Sequence, residues 1–432
     1  MTLLETALQG RITDEMEQVA LQEGVAPEFV RKGVAEGTIV ILGGNRNRNV
    51  RPVGVGKGLR TKVSASIGLY GEESSIDLEV AKIRIAEEAG TDTIMDLSVS
   101  GDIDQMLQKT LDVASTPVGT LPLYQALAEA SRKFGSSVQM DVELLFEVIE
   151  RHAAAGVGFL ALHCGLTMGI VERAKRAGRL DPLVSYGGAH LSGWMVANNR
   201  ENPLYENFDR VLDIARKYDV VLSLADGMRP GCLADAMDAA QVDEMTIFGE
   251  LVRKSRNNGV QVMVKGPGHL PLHKVKETVV LEKNLCHGAP YFVFGPLVTD
   301  IAVGYDQINA AIGGALSAWA RADFLCYVTS AEHVGIPDRE QVREGVIAAR
   351  IAAHAGDVAK GLPGAREWDF QLSMARKDLD WERQMELALD PERARKVKNA
   401  RRGRGESGCA MCGRYCAMEI VSKYLRTKRH VC

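Results

Sequence analysis

From about residue 60 onward, short aliphatic and β-branched runs alternate with longer stretches whose apolar positions recur at helical spacing. The runs are TKVSASIG (61–68), TIMDLS (93–98), PVGTLPL (117–123), GFLALHCG (158–165), LVSYGG (183–188), VVLSLADG (220–227), VQVMVKGPG (260–268), YFVFGP (291–296) and DFLCYVT (323–329). Amphipathic stretches such as IDLEVAKIRIAEEAG, VELLFEVIERHAAAG and QVDEMTIFGELVRKSRNNG fill the gaps. Repeated βα units of this kind predict an α/β fold with a parallel sheet, and a (β/α)8 TIM barrel fits best, with an open doubly wound sheet as the rival. The candidate strands are one too many for the ring, so either 183–188 or one of the last two lies outside it.

The flanks read differently. Residues 1–58 form a helical and extended segment ahead of a catalytic barrel over 59–335, and 336–395 carry charge-rich helices without strands. RARKVKNARRGRG (393–405) is basic, glycine-rich and poor in apolar residues, which predicts a mobile linker. It leads into a C-terminal arm, 396–432, that bears a cysteine run.

Polar residues gather where the predicted strands end: MDLS, LHCG, SYGG, ADGMRPG, KGPGH and YVTSAEHVG. In a βα barrel these ends form one face, the face that carries catalytic groups. Glycine, proline and aspartate are also ordinary turn residues, but turn chemistry does not explain why His163, His269 and His333 recur at one point of their units.

Composition narrows the function. The 432 residues are 46% hydrophobic and 25% charged, enough for a large core, and a net charge of -4 offers no field for a polyanion, so nucleic acid is not an expected partner. No apolar run reaches the roughly eighteen residues of a membrane span, and the acidic amphipathic N-terminus lacks the features of a secretory signal. A cytoplasmic protein is expected. Five of eight cysteines (Cys164, Cys232, Cys286, Cys326 and Cys432) are scattered, which suits a reducing compartment, and the first four, in or near predicted strand ends, read as core thiols. GVGKGLR (54–60) lacks the Lys-Ser/Thr ending of a phosphate loop, and His152 reads as structural.

The remaining cysteines, Cys409, Cys412 and Cys416, stand in the pattern C-x2-C-x3-C. Together with His430 and Cys432 they could close a structural zinc site in a non-catalytic binding module. Alternatively, they hold a [4Fe–4S] cluster whose fourth iron is free to chelate S-adenosylmethionine (SAM) and reduce it to a 5′-deoxyadenosyl radical.

CAMCGRYCAM, with TIMDLS, PVGTLPLYQA, HCGLT, ENPLYENFD, LADGMRPGC, GPGHLPL, LCHGAPYFVFGPLVTDIAVGYD and FLCYVTSAEHVGIP, resembles the ThiC family of noncanonical radical SAM enzymes from about residue 25 to the C-terminus. The resemblance implies a barrel whose cluster arm closes over the partner's site in a homodimer. It also implies aminoimidazole ribotide as substrate and a flavodoxin- or ferredoxin-type one-electron reductant. It makes Cys409, Cys412 and Cys416 the cluster ligands and His269 and His333 a pair for a second divalent metal, zinc or iron. Met95, Tyr124, His163, Ser185, Asp226 and Arg229 match substrate-pocket positions, and Asp226, Lys265 and Tyr124 are the candidates for proton handling.

The resemblance breaks inside that pocket. The pyrimidine synthases of the family read KVNANIG, SRGGS, EGPGH and PFY where this chain reads KVSASIG, SYGGA, KGPGH and PYF. Ser64 and Ser66, Tyr186 and Ala189, Lys265, and the pair Tyr291–Phe292 are therefore the departures, with Ser66, Tyr186 and Lys265 expected at the substrate. An ammonium cannot take the proton that a carboxylate would. This pattern is similar to the 5-hydroxybenzimidazole synthase branch (BzaF), which serves cobamide lower-ligand synthesis in anaerobes; phosphomethylpyrimidine synthesis for thiamin is the alternative.

Overall fold

The apolar runs behave as doubly buried strands. In the computed structural model, which describes residues 1–43, 50–71, 74–400 and 415–425, eight of them pair in parallel. They are Lys62–Ile67 (β1), Thr93–Asp96 (β2), Val118–Thr120 (β3), Phe159–Leu162 (β4), Val221–Leu224 (β5), Val262–His269 (β6), Tyr291–Leu297 (β7) and Phe324–Cys326 (β8). Nearly every residue in them is buried, as a parallel sheet covered on both faces requires. β8 pairs with both β7 and β1, so the ring closes in sequence order. Outside it, helix Arg339–Lys360 packs against both Asp306–Trp319 and Ile76–Glu88, which completes the surrounding layer of helices.

The supernumerary candidate, 183–188, is the one that lies outside the ring. Ser185 caps helix Tyr186–Asn198, its hydroxyl accepting from the Gly188 N–H at 3.3 Å. The paired glycines suit close approach rather than strand packing, since a Cβ on Gly188 would lie 2.6 Å from the Gly227 carbonyl oxygen.

Ahead of the barrel, helices Leu3–Leu8, Asp14–Glu23 and Pro27–Glu36 lead to an antiparallel hairpin, Ile39–Leu42 with Val53–Gly56. Residues 54–56 of GVGKGLR thus lie in a strand. Alternation divides this hairpin between two cores: Val40 and Leu42 join the barrel core, while Ile39 and Ile41 pack with Leu4, Met16 and Val30 of the helices. The Ile41 N–H donates to Gln261 Oε1 at 2.9 Å, and Gly43 abuts Pro117. Both contacts lie just ahead of barrel strands, so the hairpin covers the end opposite the polar loops.

Two compact units divide the chain, Met1–Lys360 and Gly361–Cys432. The helical stretch expected over 336–395 is shared between them, its first helix belonging with the barrel. Part of the expected linker is helical. Residues 393–399 lie in helix Pro391–Asn399, whose Asp390 cap accepts from the Arg393 N–H at 3.0 Å. Proline in the first turn and Lys396 and Lys398 in the last favour that helix, outweighing the lack of apolar residues. Among the described residues no helix is long and apolar enough to cross a membrane.

Candidate active site at the mouth of the barrel

The strand ends enclose a cavity of about 390 Å³, walled in part by Ser66, Tyr124, His163, Asp226, Arg229 and Lys265. His333 also reaches it. The other pocket residues expected from sequence stand one contact behind this wall. Met95 places its sulfur 3.6 Å from Lys265 Nζ, Ser185 bonds His163, and Tyr186 meets Tyr124 edge-on with centroids 4.7 Å apart. Ser64 is deeper still, accepting from the Thr93 hydroxyl at 2.8 Å inside the barrel.

Burial sets the electrostatics. His163, just beyond β4, holds Nε2 3.1 Å from Ser185 Oγ. Its burial, with the charges of Arg229 and Lys265 nearby, pushes the imidazole down to about 3, so it is neutral. Burial likewise pushes the Tyr124 phenol up to about 12, although Arg229 pulls against it. Asp226 is raised by burial while Arg229 and Lys265 draw it down.

Lys265 is lowered, again chiefly by burial. Its Nζ lies 4.5 Å from the Phe292 ring centroid, so an aromatic face receives the ammonium. Arg229 has a weaker hold on Asp226, Nη1 to Oδ1 being 3.9 Å, and rests over Phe294. Two cations so placed face an open cavity and suit an anionic group such as a phosphate.

His269, at the end of β6, and His333 come together with ring centroids 5.4 Å apart. Each Nδ1 is held by a carboxylate, His269 by Asp300 at 2.8 Å and His333 by Asp306 at 3.3 Å. Rings bound through Nε2 to one tetrahedral zinc would sit about 5 Å apart, given Zn–N near 2.1 Å. The pair and its carboxylates therefore fit two ligand positions of a divalent ion, with the tautomer set from behind. The described residues contain no group of three or more metal-ligating side chains.

Cys409 and Cys412 lie outside the described residues. Cys416 is partly exposed and precedes helix Ala417–Tyr424, where the first backbone N–H groups favour an anionic ligand atom.

Several contributors were not found from sequence. Glu244, on helix Ala239–Asn257, accepts from the Gly227 and Met228 N–H groups at 2.8 Å each and so fixes the loop between Asp226 and Arg229. Burial pushes its carboxyl up to about 8 against the pull of those bonds. Cys326 is not only a core thiol: it reaches the cavity and lies 3.9 Å from Ser66 Oγ. Glu332 also lines the cavity. Asp300 and Asp306 sit inside the recognised block around LVTDIAVGYD, where the need of a ligating histidine for a carboxylate partner was the available signal.

A model of the radical SAM ThiC family matches residues 2–423. The chain belongs to the radical SAM ThiC family. Within it, the chain is 74% identical to a 5-hydroxybenzimidazole synthase BzaA of Moorella thermoacetica, over the whole length of both. A second protein of that description, from Eubacterium limosum, is 58% identical over 99% of this chain and 100% of its own. A phosphomethylpyrimidine synthase of Moorella thermoacetica is 54% identical, again over the whole of both chains. The hydroxybenzimidazole relatives bear the designation BzaA rather than the BzaF expected from the motifs. Membership in a radical SAM ThiC family implies SAM and an iron–sulfur cluster.

Proposed function

We propose that this enzyme converts aminoimidazole ribotide to 5-hydroxybenzimidazole. The observation that carries the reading is the contrast within one organism, 74% identity to its 5-hydroxybenzimidazole synthase against 54% to its phosphomethylpyrimidine synthase. Lys265 on the cavity wall, where the pyrimidine synthases read glutamate, points the same way.

Cys409, Cys412 and Cys416 would hold the [4Fe–4S] cluster, and the placement of Cys416 before a helix fits an anionic sulfur ligand. When bound, that cluster would supply one-electron reduction of SAM, with a flavodoxin or ferredoxin as the electron source, and so the radical chemistry directed at the ribose. Arg229 anchors the phosphate, and neutral His163, fixed by Ser185, presents an uncharged ring to the substrate. Asp226, Lys265 and Tyr124 handle protons as sugar carbons recombine with the imidazole; burial brings Asp226 and Lys265 toward neutral pH from opposite sides. His269 and His333, each backed by a carboxylate, would supply two ligands to a zinc or iron ion. The enzyme acts in the cytoplasm as a homodimer in which each arm serves the partner's barrel.

The test is product analysis. Anoxically purified protein with reductant, SAM and aminoimidazole ribotide is expected to yield 5-hydroxybenzimidazole by mass spectrometry. A pyrimidine phosphate as the product would overturn the reading.

A further inference from the structure

β7 begins Tyr291–Phe292, and the period of two sends these side chains to opposite faces. Phe292 points into the barrel, stacking on Phe324 at 4.0 Å beneath Lys265. Tyr291 points outward, where it is buried between the sheet and its helices. The order Tyr-Phe, in place of Phe-Tyr, thus moves a phenol from the barrel interior to the layer behind it.

That layer contains a second, small cavity of about 20 Å³, walled by Tyr291, Asp226, Glu244, Lys265 and Glu282. Asp226 lines this chamber and the main cavity alike. Three buried carboxyl oxygens, Oδ2 of Asp226 and both of Glu282, have no N–H or O–H partner among the described residues, the weakly donating Cys286 thiol being the hydrogen-bonding group beside Glu282. Buried polar atoms are seldom left so, and each exception calls for a bound water or a chemical role. A water needs roughly 10–15 Å³ and two or more polar partners. This chamber offers both.

We propose that the rear chamber holds one ordered water and, through it and the Tyr291 hydroxyl, carries protons between Glu282 and Asp226. A proton leaves the Glu282 carboxyl for the water, the water passes one to the Tyr291 hydroxyl oxygen, and Tyr291 releases its own proton to Asp226 Oδ2. Every step is a proton shift between oxygens, so no oxidant or reductant is required. Burial holds Glu282 up at about 8, which keeps the store filled at neutral pH. The groups facing it are Lys283 of its own helix, Val275–Leu285, the Cys286 that caps that helix, Arg256 of helix Ala239–Asn257, and Asp323 and Tyr291 from the sheet side. Glu244 takes no part in the transfer, because its oxygens are committed to the loop N–H groups.

The proposal rests on the proposed function only in that Asp226 serves a substrate, and two measurements separate their failures. A high-resolution crystal structure of the anoxically prepared full chain is expected to show a water within hydrogen-bonding distance of Tyr291 and Asp226; a dry chamber overturns the proposal. In assays, Tyr291→Phe and Glu282→Gln are each expected to cut 5-hydroxybenzimidazole formed per 5′-deoxyadenosine at least tenfold. The wild-type yield should fall above about pH 8 and that of Glu282→Gln should not. Unchanged yield and pH profile in both variants overturn the relay. If Glu282→Gln does not fold, Tyr291→Phe, which removes a single oxygen, decides. Should the wild type make no 5-hydroxybenzimidazole, the functional reading fails and the crystal structure alone judges the chamber.

Discussion

Replacing Glu244 with leucine tests how the loop between Asp226 and Arg229 is held. Its carboxyl accepts from the Gly227 and Met228 N–H groups, both buried, at 2.8 Å each. Leucine keeps approximate volume but accepts nothing, so two buried donors lose their partners. Each costs roughly 1–3 kcal/mol, giving about 2–6 kcal/mol in all. The penalty falls on the segment joining Asp226 to Arg229, so these amides should exchange with solvent by easier local opening. A loss of about 2 kcal/mol corresponds to roughly 30-fold faster exchange. Hydrogen–deuterium exchange mass spectrometry on a peptide spanning 225–229 reads this directly, with the β4 peptide 159–162 as an internal control. Displacement of the loop should also slow product formation about 100-fold, because reacting groups misplaced by about 1 Å lose that much. Wild-type exchange at 225–229 in Glu244→Leu would refute the assignment of Glu244 as the residue that positions the loop.

Cys412→Ala is expected to abolish 5′-deoxyadenosine formation and reduce bound iron; full activity with this variant would remove the cluster from the mechanism. Asp300→Asn should weaken metal retention by about 10–100-fold through His269, measured by metal analysis after dialysis against a chelator. His152 provides a pH test. Its ring nitrogens meet Thr120 Oγ1 at 2.9 Å and Gln125 Oε1 at 2.7 Å, and burial lowers it from 6.5 to about 4. Because the folded value lies below the unfolded one, the stability it contributes is present above pH 6.5 and is lost as pH falls toward 4. Between pH 7 and 5 the loss is about 2 kcal/mol, so His152→Gln should flatten the acid side of the urea-unfolding stability curve by that amount.

Local chemistry explains why most of the barrel was legible and LVSYGG was misleading. Strands buried on both faces leave uninterrupted apolar runs, which is how β4 and β5 announce themselves. LVSYGG carries the same apolar start, but Ser185 supplies a cap and Gly187 and Gly188 permit close contact with His163 and Gly227, so a helix forms. The hairpin beneath the barrel was legible only as extended chain, because its alternation serves two different cores. Residues 393–399 show the opposite failure: apolar content was low, yet caps and terminal charges sufficed for a helix.

The site divides by the same logic. Residues on strand ends could be placed from the sequence, because a parallel barrel brings every such end to one face whatever lies between. Glu244 and Glu282 could not, since they reach the site from outer helices, and only packing determines which helical carboxylates turn inward. The departures from the pyrimidine synthases become coherent in three dimensions. Lys265 faces Phe292 inside the barrel, and Tyr291 faces Asp226 and Glu282 behind it. Exchanging two neighbouring aromatics on one strand therefore alters both sides of the wall at once, giving the interior a ring that can receive an ammonium and the rear layer a hydroxyl beside two buried acids.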